Sequence, residues 1–477
     1  MNEKSVGISQ QTLVSNTGDE NAPAKKLPQY IASLSSTLGA LAVGMVLGWT
    51  NSAGDNGAEI QALYGIQISG SEFTWMGSLA TLGAGVMCIL IGILPTGFLT
   101  DFMGRKYAML LMVVPFTVGW LLIIFANSVL MFYIGRFISG LSAGAFCVAA
   151  PMYSAETAEN EIRGSLGSYF QLLLTVGILL SYILGSFVNI RELSIISAVV
   201  PFIFFAIFMF MPETPIYYLQ KGNEDAARKS LIKLRGNQYN VENELQKQKE
   251  DLENNARMKT SFLVSLKSRS TVKSFIISYG LMFFQQLSGV NVVIFYVSTI
   301  FAKSGSDLSP SESSIIVGAI QVIAVFLSTL VVDRLGRKIL LLLSAIFMCL
   351  TTFALGIYFY LQNNGEDVSA VSWLPLVAVC IFITVFSFGF GPIPWMMVGE
   401  LFSPEVKGVA ASSAGLLNWV LAFIVTKFYG DLKDAISEGP TFLLFALISA
   451  IGSFFVYFIV PETKGKSLID IQRELSN

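Results

Sequence analysis

An all-α membrane protein of twelve spanning helices is predicted by three observations. Of the 477 residues, 53% are hydrophobic and only 13% are charged; soluble chains carry about 25% charged residues. The apolar residues fall into runs of about 18 or more, the length that crosses a bilayer core roughly 30 Å thick. Runs such as Ile195 to Met211 carry no charge and a single hydroxyl, that of Ser197. They lack the alternation of barrel strands, and lipid leaves the backbone no partner outside a helix or a closed barrel.

The spans are placed at 28–53, 73–98, 106–126, 128–152, 163–189, 194–211, 271–302, 310–333, 337–361, 370–400, 405–429 and 438–460. Residues 1–27 are polar and of mixed charge, without the form of a cleavable signal, and are read as a disordered cytoplasmic tail. Residues 28–211 form one six-helix bundle and 271–460 the second. Between them, 212–270 is the single long polar segment, with amphipathic helices expected at 223–235 and 241–257 on the cytoplasmic face. Residues 461–477 make a C-terminal cytoplasmic tail.

The two halves repeat. Asp101-Phe-Met-Gly-Arg105-Lys106 returns as Asp333-Arg-Leu-Gly-Arg337-Lys338. Glu156, ahead of Arg163-Gly164, returns as Glu400 ahead of Lys407-Gly408, and Pro212-Glu213-Thr214 as Pro461-Glu462-Thr463. The offsets of 232, 244 and 249 keep their order, so the halves are parallel repeats. That arrangement suits alternating access around a site near mid-membrane.

Charge sets the orientation. Of the 30 Lys and Arg, 26 fall on the side of the termini, counting Arg136 there, and 4 on the other. Positive charge concentrates in the cytoplasm, so both termini are placed there, in a multi-pass plasma-membrane protein. The chain has no histidine, which removes the commonest proton shuttle and zinc ligand. Cys88, Cys147, Cys349 and Cys380 lie inside apolar runs and read as buried core residues. No nucleophile–base pair or metal cluster is visible, so neither an enzyme nor a cofactor is expected, and nothing points to nucleic acid.

These motifs resemble one family. Gly97-x-x-x-Asp101-x-x-Gly104-Arg105-Lys106 and its second copy resemble the signature loops of the major facilitator superfamily. Gly135-Arg136, Pro151-x-Tyr153-x-x-Glu156, Gln285-Gln-Leu-Ser-Gly289-x-Asn291, Gly391-Pro-Ile-Pro-Trp395 and Pro461-Glu-Thr-Lys-Gly465 resemble its sugar porters, over roughly residues 40 to 468. The stretch from Gly389 to Glu400 is similar to the insect facilitated trehalose transporters and related animal glucose transporters. The resemblance implies a monomeric carrier, in the bilayer, for a small neutral sugar, a hexose or trehalose.

It also implies residue roles. Asp101, Arg105, Arg136, Glu156 and Arg163, with Asp333, Arg337, Glu400 and Lys407, are expected to form ion pairs between cytoplasmic helix ends, which shut that side and break on inward opening. The alternative is that charges at helix ends only set topology. A sugar's hydroxyls suit amides, which donate and accept together. Gln171, Gln285, Gln286, Asn291, Gln321 and Asn418 are the expected sugar ligands, with Trp395 offering an aromatic face and Phe386 beside them. Phe295 and Tyr296 stand nearby as gate residues, and Trp419 is close. The alternative is that such amides only join helices.

Gln285 and Asn291 do not share a face of an unbroken helix, so a break at Gly289 is expected. A second is expected at Gly389, Gly391, Pro392 and Pro394. Proton-coupled sugar porters carry an Asp in the first helix where this chain has Thr50. Facilitated diffusion is therefore expected rather than proton symport; a non-transporting sugar sensor is the reading from another class.

Overall fold

A computed structural model describes residues 23–88, 102–159, 161–258, 266, 268–305 and 308–476. Among them there is no strand. The membrane helices of the first half are α1 (Leu27–Ser52), α2 (Gly70–Cys88), α3 (Arg105–Ile124), α4 (Val129–Thr157), α5 (Arg163–Phe187) and α6 (Ile190–Phe208). Those of the second half are α7 (Arg269–Leu287), α8 (Val290–Lys303), α9 (Pro310–Leu335), α10 (Arg337–Asn363), α11 (Leu374–Phe388), α12 (Ile393–Leu401), α13 (Pro404–Ile436) and α14 (Glu438–Ile459).

Eleven spans among the described residues are long and apolar enough to cross a bilayer, with α7–α8 and α11–α12 each counted as one and α2 not among them. The expected second span runs past Cys88 into residues outside the described set, as do residues 1–22 of the expected tail. The polar stretch between the halves carries helices Glu224–Arg235 and Val241–Met258, close to expectation, and also Pro215–Gln220. The C-terminal segment is not a plain tail: helix Leu468–Ser476 buries Ile471 and Leu475, and Gln472 donates to the carbonyl of Leu401.

Local chemistry explains the helix starts. Ser309 Oγ accepts from the Glu312 amide at 3.2 Å, and Glu312 returns a carboxylate oxygen to the Ser309 amide at 2.9 Å. This reciprocal cap opens α9. Asn189 and Glu192 do the same for α6. Large apolar side chains such as Phe187, Phe326, Leu350 and Phe458 remain exposed. In water such a surface would be a liability; facing lipid tails it is the favoured one.

Within the first half α1 packs on α5 and α2 on α4; within the second, α10 packs on α14 and α9 on α11. The halves meet along α2–α13, α5–α9 and α1–α8.

Candidate functional site

The site builds from the two helix breaks. Between α7 and α8 the chain turns at Gly289, whose φ of 90° lies in the left-handed region. A side chain there would also strike Phe445, since a Cβ would stand 2.8 Å from that ring. The break swings Asn291 back toward the end of α7, and its amide donates to Gln286 Oε1. Gln286 in turn donates to Asn418 Oδ1 of α13 at 2.9 Å, and Asn418 donates to Gln285 Oε1 at 2.5 Å.

The second break, between α11 and α12, lies at Gly389–Pro392. Gly389 is required there by close approach, because a Cβ would meet Ser344 at 2.3 Å and the Leu340 carbonyl at 2.6 Å. The unwound turn frees carbonyls, and Gln285 Nε2 takes two of them, Phe390 O at 2.5 Å and Gly391 O at 3.0 Å. An orphaned carbonyl at this depth is costly. Gln285 therefore braces the break.

Four of the six expected amides thus form one connected cluster at the two breaks. Phe386 lies in the last turn of α11, beside the second break, and is buried. The indole of Trp395 lies against Gly415, one turn before Asn418, and is 42% exposed. Gln171 on α5 is half-buried and Gln321 on α9 is buried. No hydrogen bond joins either to the cluster among the described residues.

At the face that carries the termini, the sequence repeat becomes a repeated clamp. Arg105 donates through Nε and Nη2 to Glu156 Oε1 at 3.1 and 2.9 Å. Arg337 donates in the same way to Glu400 Oε1 at 3.2 and 3.0 Å. Glu213 accepts from the Lys106 amide at 2.9 Å. Its counterpart Glu462 accepts from the Arg337 and Lys338 amides at 2.9 and 3.0 Å. These carboxylates cap the helix starts opened by the repeated Gly-Arg-Lys, where a negative charge is favoured. The role of Glu213 and Glu462 was not drawn from sequence; the doubled Pro-Glu-Thr was the signal.

Their surroundings differ. Burial pushes the Glu213 carboxyl above the ordinary glutamate range, against the amide bonds it accepts. Burial also works on Glu462, but the amides of Lys464, Arg337, Lys338 and Thr463 outweigh it and hold its carboxyl below that range.

Two expectations about the gate are corrected. Arg136 was grouped with the charges on the side of the termini. It sits instead about 20 residues along α4 from Glu156, roughly 30 Å at 1.5 Å per residue. There it is fully buried and donates to Met76 O at 3.0 Å, Val46 O at 2.8 Å and Thr50 Oγ1 at 3.1 Å. Its guanidinium lies 5.0 Å from the Trp49 ring centre. With Arg136 moved, Lys and Arg divide 25 to 5 between the sides. Second, the Arg105–Glu156 and Arg337–Glu400 pairs each join helices of one half. Neither pair bridges the halves, so separation of the halves does not itself break them.

Asp101 and the side chain of Asp333 lie outside the described residues. Arg163 reaches its own chain at Ala158 O, 3.4 Å away. Lys407, with Arg337 and Glu400, lines a cavity of about 490 Å³.

Among the described residues, the hydrogen bonds between membrane helices of different halves lie at the face away from the termini. Ser298 N donates to Asn51 Oδ1 at 2.7 Å and Ser298 Oγ to Asn51 O at 2.9 Å. Tyr182 donates to Ile294 O at 2.6 Å. Tyr296, which donates to Thr426 O at 3.1 Å and stacks on Tyr429 within the second half, meets Phe73 of α2 across the halves edge-on at 6.2 Å. Phe295 is fully buried beside it. Asn51, Ser298 and Tyr182 were absent from the expected gate; single polar residues at helix ends give no sequence pattern to find them by.

A family model described as "Sugar (and other) transporter" matches residues 31–475. The chain is 39% identical over 469 residues to a facilitated trehalose transporter Tret1 of Culex quinquefasciatus, covering 97% of this chain and 89% of that one. A Tret1 of Bombyx mori is 40% identical over 94% of this chain and 87% of its own length. Against the Tret1 of Aedes aegypti the identity is also 40%, but this chain spans only 55% of that protein. Among solved structures, the xylose transporter XylE of E. coli in a partially occluded inward open conformation superimposes with a TM-score of 0.75. The identity is 23%, over 92% of this chain and 99% of that one. The shared residues, the doubled clamp and the broken helices have one explanation: the chain belongs to the sugar transporter family and has the major facilitator fold.

Proposed function

We propose that the protein is a facilitative carrier that moves a hexose or trehalose down its gradient by alternating access. The observation that carries this reading is the cluster of Gln285, Gln286, Asn291 and Asn418 at two helix breaks in mid-span. It offers donors and acceptors in equal supply and contains no titratable group, which matches a neutral polyol. The names of the insect relatives support trehalose as the first substrate to try.

Uniport is favoured over proton symport by the surroundings of Arg136. A proton-coupled site needs a titratable partner within the membrane. Here the guanidinium is held by two carbonyls and the Thr50 hydroxyl.

In this reading the domain division stands at 28–211 and 271–460 around the segment 212–270, with both termini in the cytoplasm, in the plasma membrane, and a monomer as the working unit. The amides with Gln171, Gln321, Phe386 and Trp395 form the sugar pocket. Asn51, Ser298, Tyr182, Phe295 and Tyr296 close the outward path. Arg105, Glu156, Arg163, Arg337, Glu400 and Lys407 shape the inward one.

The test is uptake of radiolabelled glucose and trehalose into oocytes at two external pH values, with a protonophore control. Saturable uptake that ignores the protonophore is expected. Uptake that collapses with the proton gradient would replace uniport by symport. No uptake, with protein present at the surface, would remove the transport reading.

A further inference from the structure

Lys427 is a cation buried within a membrane helix. It lies nearly three-quarters of the way along α13, 5% exposed, and its ammonium bonds Asp431 Oδ2 of the same helix at 3.0 Å. Burying a charge is costly unless every side of it is compensated. Asp431 is itself 49% exposed and supplies only part of this. The rest comes from rings: Phe428 of α13 at 5.3 Å and Trp75 of α2 at 5.2 Å from the ring centre.

Trp75 belongs to the other half of the molecule. Phe423, Lys427 and Gly430 are spaced four and three residues apart, so they share one face of α13. Phe423 meets Trp75 with ring centres 5.7 Å apart, and a Cβ on Gly430 would stand 2.8 Å from Thr74. The stripe therefore lies along α2, at the face away from the termini, where the halves are closed.

We infer that Lys427 and Trp75 form a cation–π latch that holds this face shut. The inference rests on the alternating-access reading. While the halves are closed, the ammonium is covered by the indole. When they part, the ring leaves with α2, and Lys427 keeps only Asp431 and water. The latch favours the closed state by the strength of one partly desolvated cation–π contact, a factor of about 2 to 30 in the closed-to-open ratio. No sequence feature used for the sugar site or for the termini-side clamps involves either residue.

The test reads opening directly. The full-length protein carries Ser298→Cys as a reporter at the α1–α8 contact and is labelled with a membrane-impermeant thiol reagent from that face. The same variants without the reporter give the background of the native cysteines. Trp75→Leu is expected to raise the labelling rate about 2- to 30-fold, and Trp75→Phe, which keeps a weaker ring, to raise it less. In a Lys427→Met background the Trp75→Leu effect should largely vanish, because there is no charge left to cover. An equal effect in both backgrounds would mean that Trp75 acts by packing on Phe423 alone, and would overturn the latch. No effect in either background would overturn it as well. Alternating access is scored separately, by whether added sugar changes the labelling rate of the otherwise unsubstituted reporter protein.

Discussion

At the scale of single residues, the amide cluster makes the clearest demand. Gln286→Ala and Asn291→Ala each leave a neighbouring buried amide short of a partner, a loss of about 1–3 kcal/mol. Each is expected to lower sugar uptake about 5- to 150-fold at unchanged surface expression; two normal uptake curves would remove these residues from the pocket. Gln285 was legible as a polar residue in an apolar helix, but its bonds to Phe390 and Gly391 were not. They depend on where another helix unwinds, about a hundred residues away.

Thr50 gives a second test. Placing a carboxylate against Arg136 with Thr50→Asp creates a titratable buried pair. Uptake by this variant should become dependent on external pH, whereas the parent stays flat over the same range; a flat variant would show that Arg136 does not communicate with the sugar path.

The carboxyls of Glu213 and Glu462 are shifted in opposite directions. Glu213 has a raised pKa, so the fold binds its proton more readily than the unfolded chain, and acid relieves the cost of its burial. Glu462 has a lowered one, so its contribution is full above the ordinary glutamate range and is lost as the pH falls through its lowered value. On acidification, the protection of the Lys106 amide, read relative to the intrinsic exchange rate at each pH, should therefore change at a higher pH than that of Lys338. Simultaneous onset would contradict the difference in environment.

At the scale of elements, the two breaks were read from glycine and proline alone, and they fall where backbone chemistry puts them. What the sequence did not carry was why Gly389 tolerates no side chain. That is set by α10, whose Leu340 carbonyl and Ser344 leave no room. Gly389→Ala should cost about 1–3 kcal/mol by overpacking, seen as a lower melting temperature of the detergent-solubilised protein and weaker uptake. An unchanged melting temperature would mean that α10 and α11 can separate there freely. The helix ends were mostly legible to within a few residues because caps and charges mark them. For Arg136, the distance of 20 residues from Glu156 already set it at the opposite end of α4; what the sequence did not carry was its partners, the carbonyls of Val46 and Met76.

At the scale of the whole molecule, the repeat in sequence, Asp-x-x-Gly-Arg-Lys twice and Pro-Glu-Thr twice, was enough to announce two related halves. It said nothing about which face is closed, because one sequence must serve both conformations. Arg337→Ala tests the division of labour. The Arg337–Glu400 pair braces the second half, so its loss should slow transport while equilibrium sugar binding to the purified protein survives. Loss of binding in a well-folded variant would place Arg337 in the pocket instead.

The self-bonded amides have a consequence for the journey without cargo. A carrier working by diffusion alone must return empty as readily as it crosses loaded. Were its ligands left bare, every return would drag several unsatisfied dipoles through a dry constriction. Here Asn291, Gln286, Asn418 and Gln285 hold one another. Sugar exchanges bonds rather than supplying missing ones, so its arrival alters the barrier to rocking only modestly. The vacant protein is thus equipped to shuttle in both directions, and the flow it supports is set by the concentrations on either side.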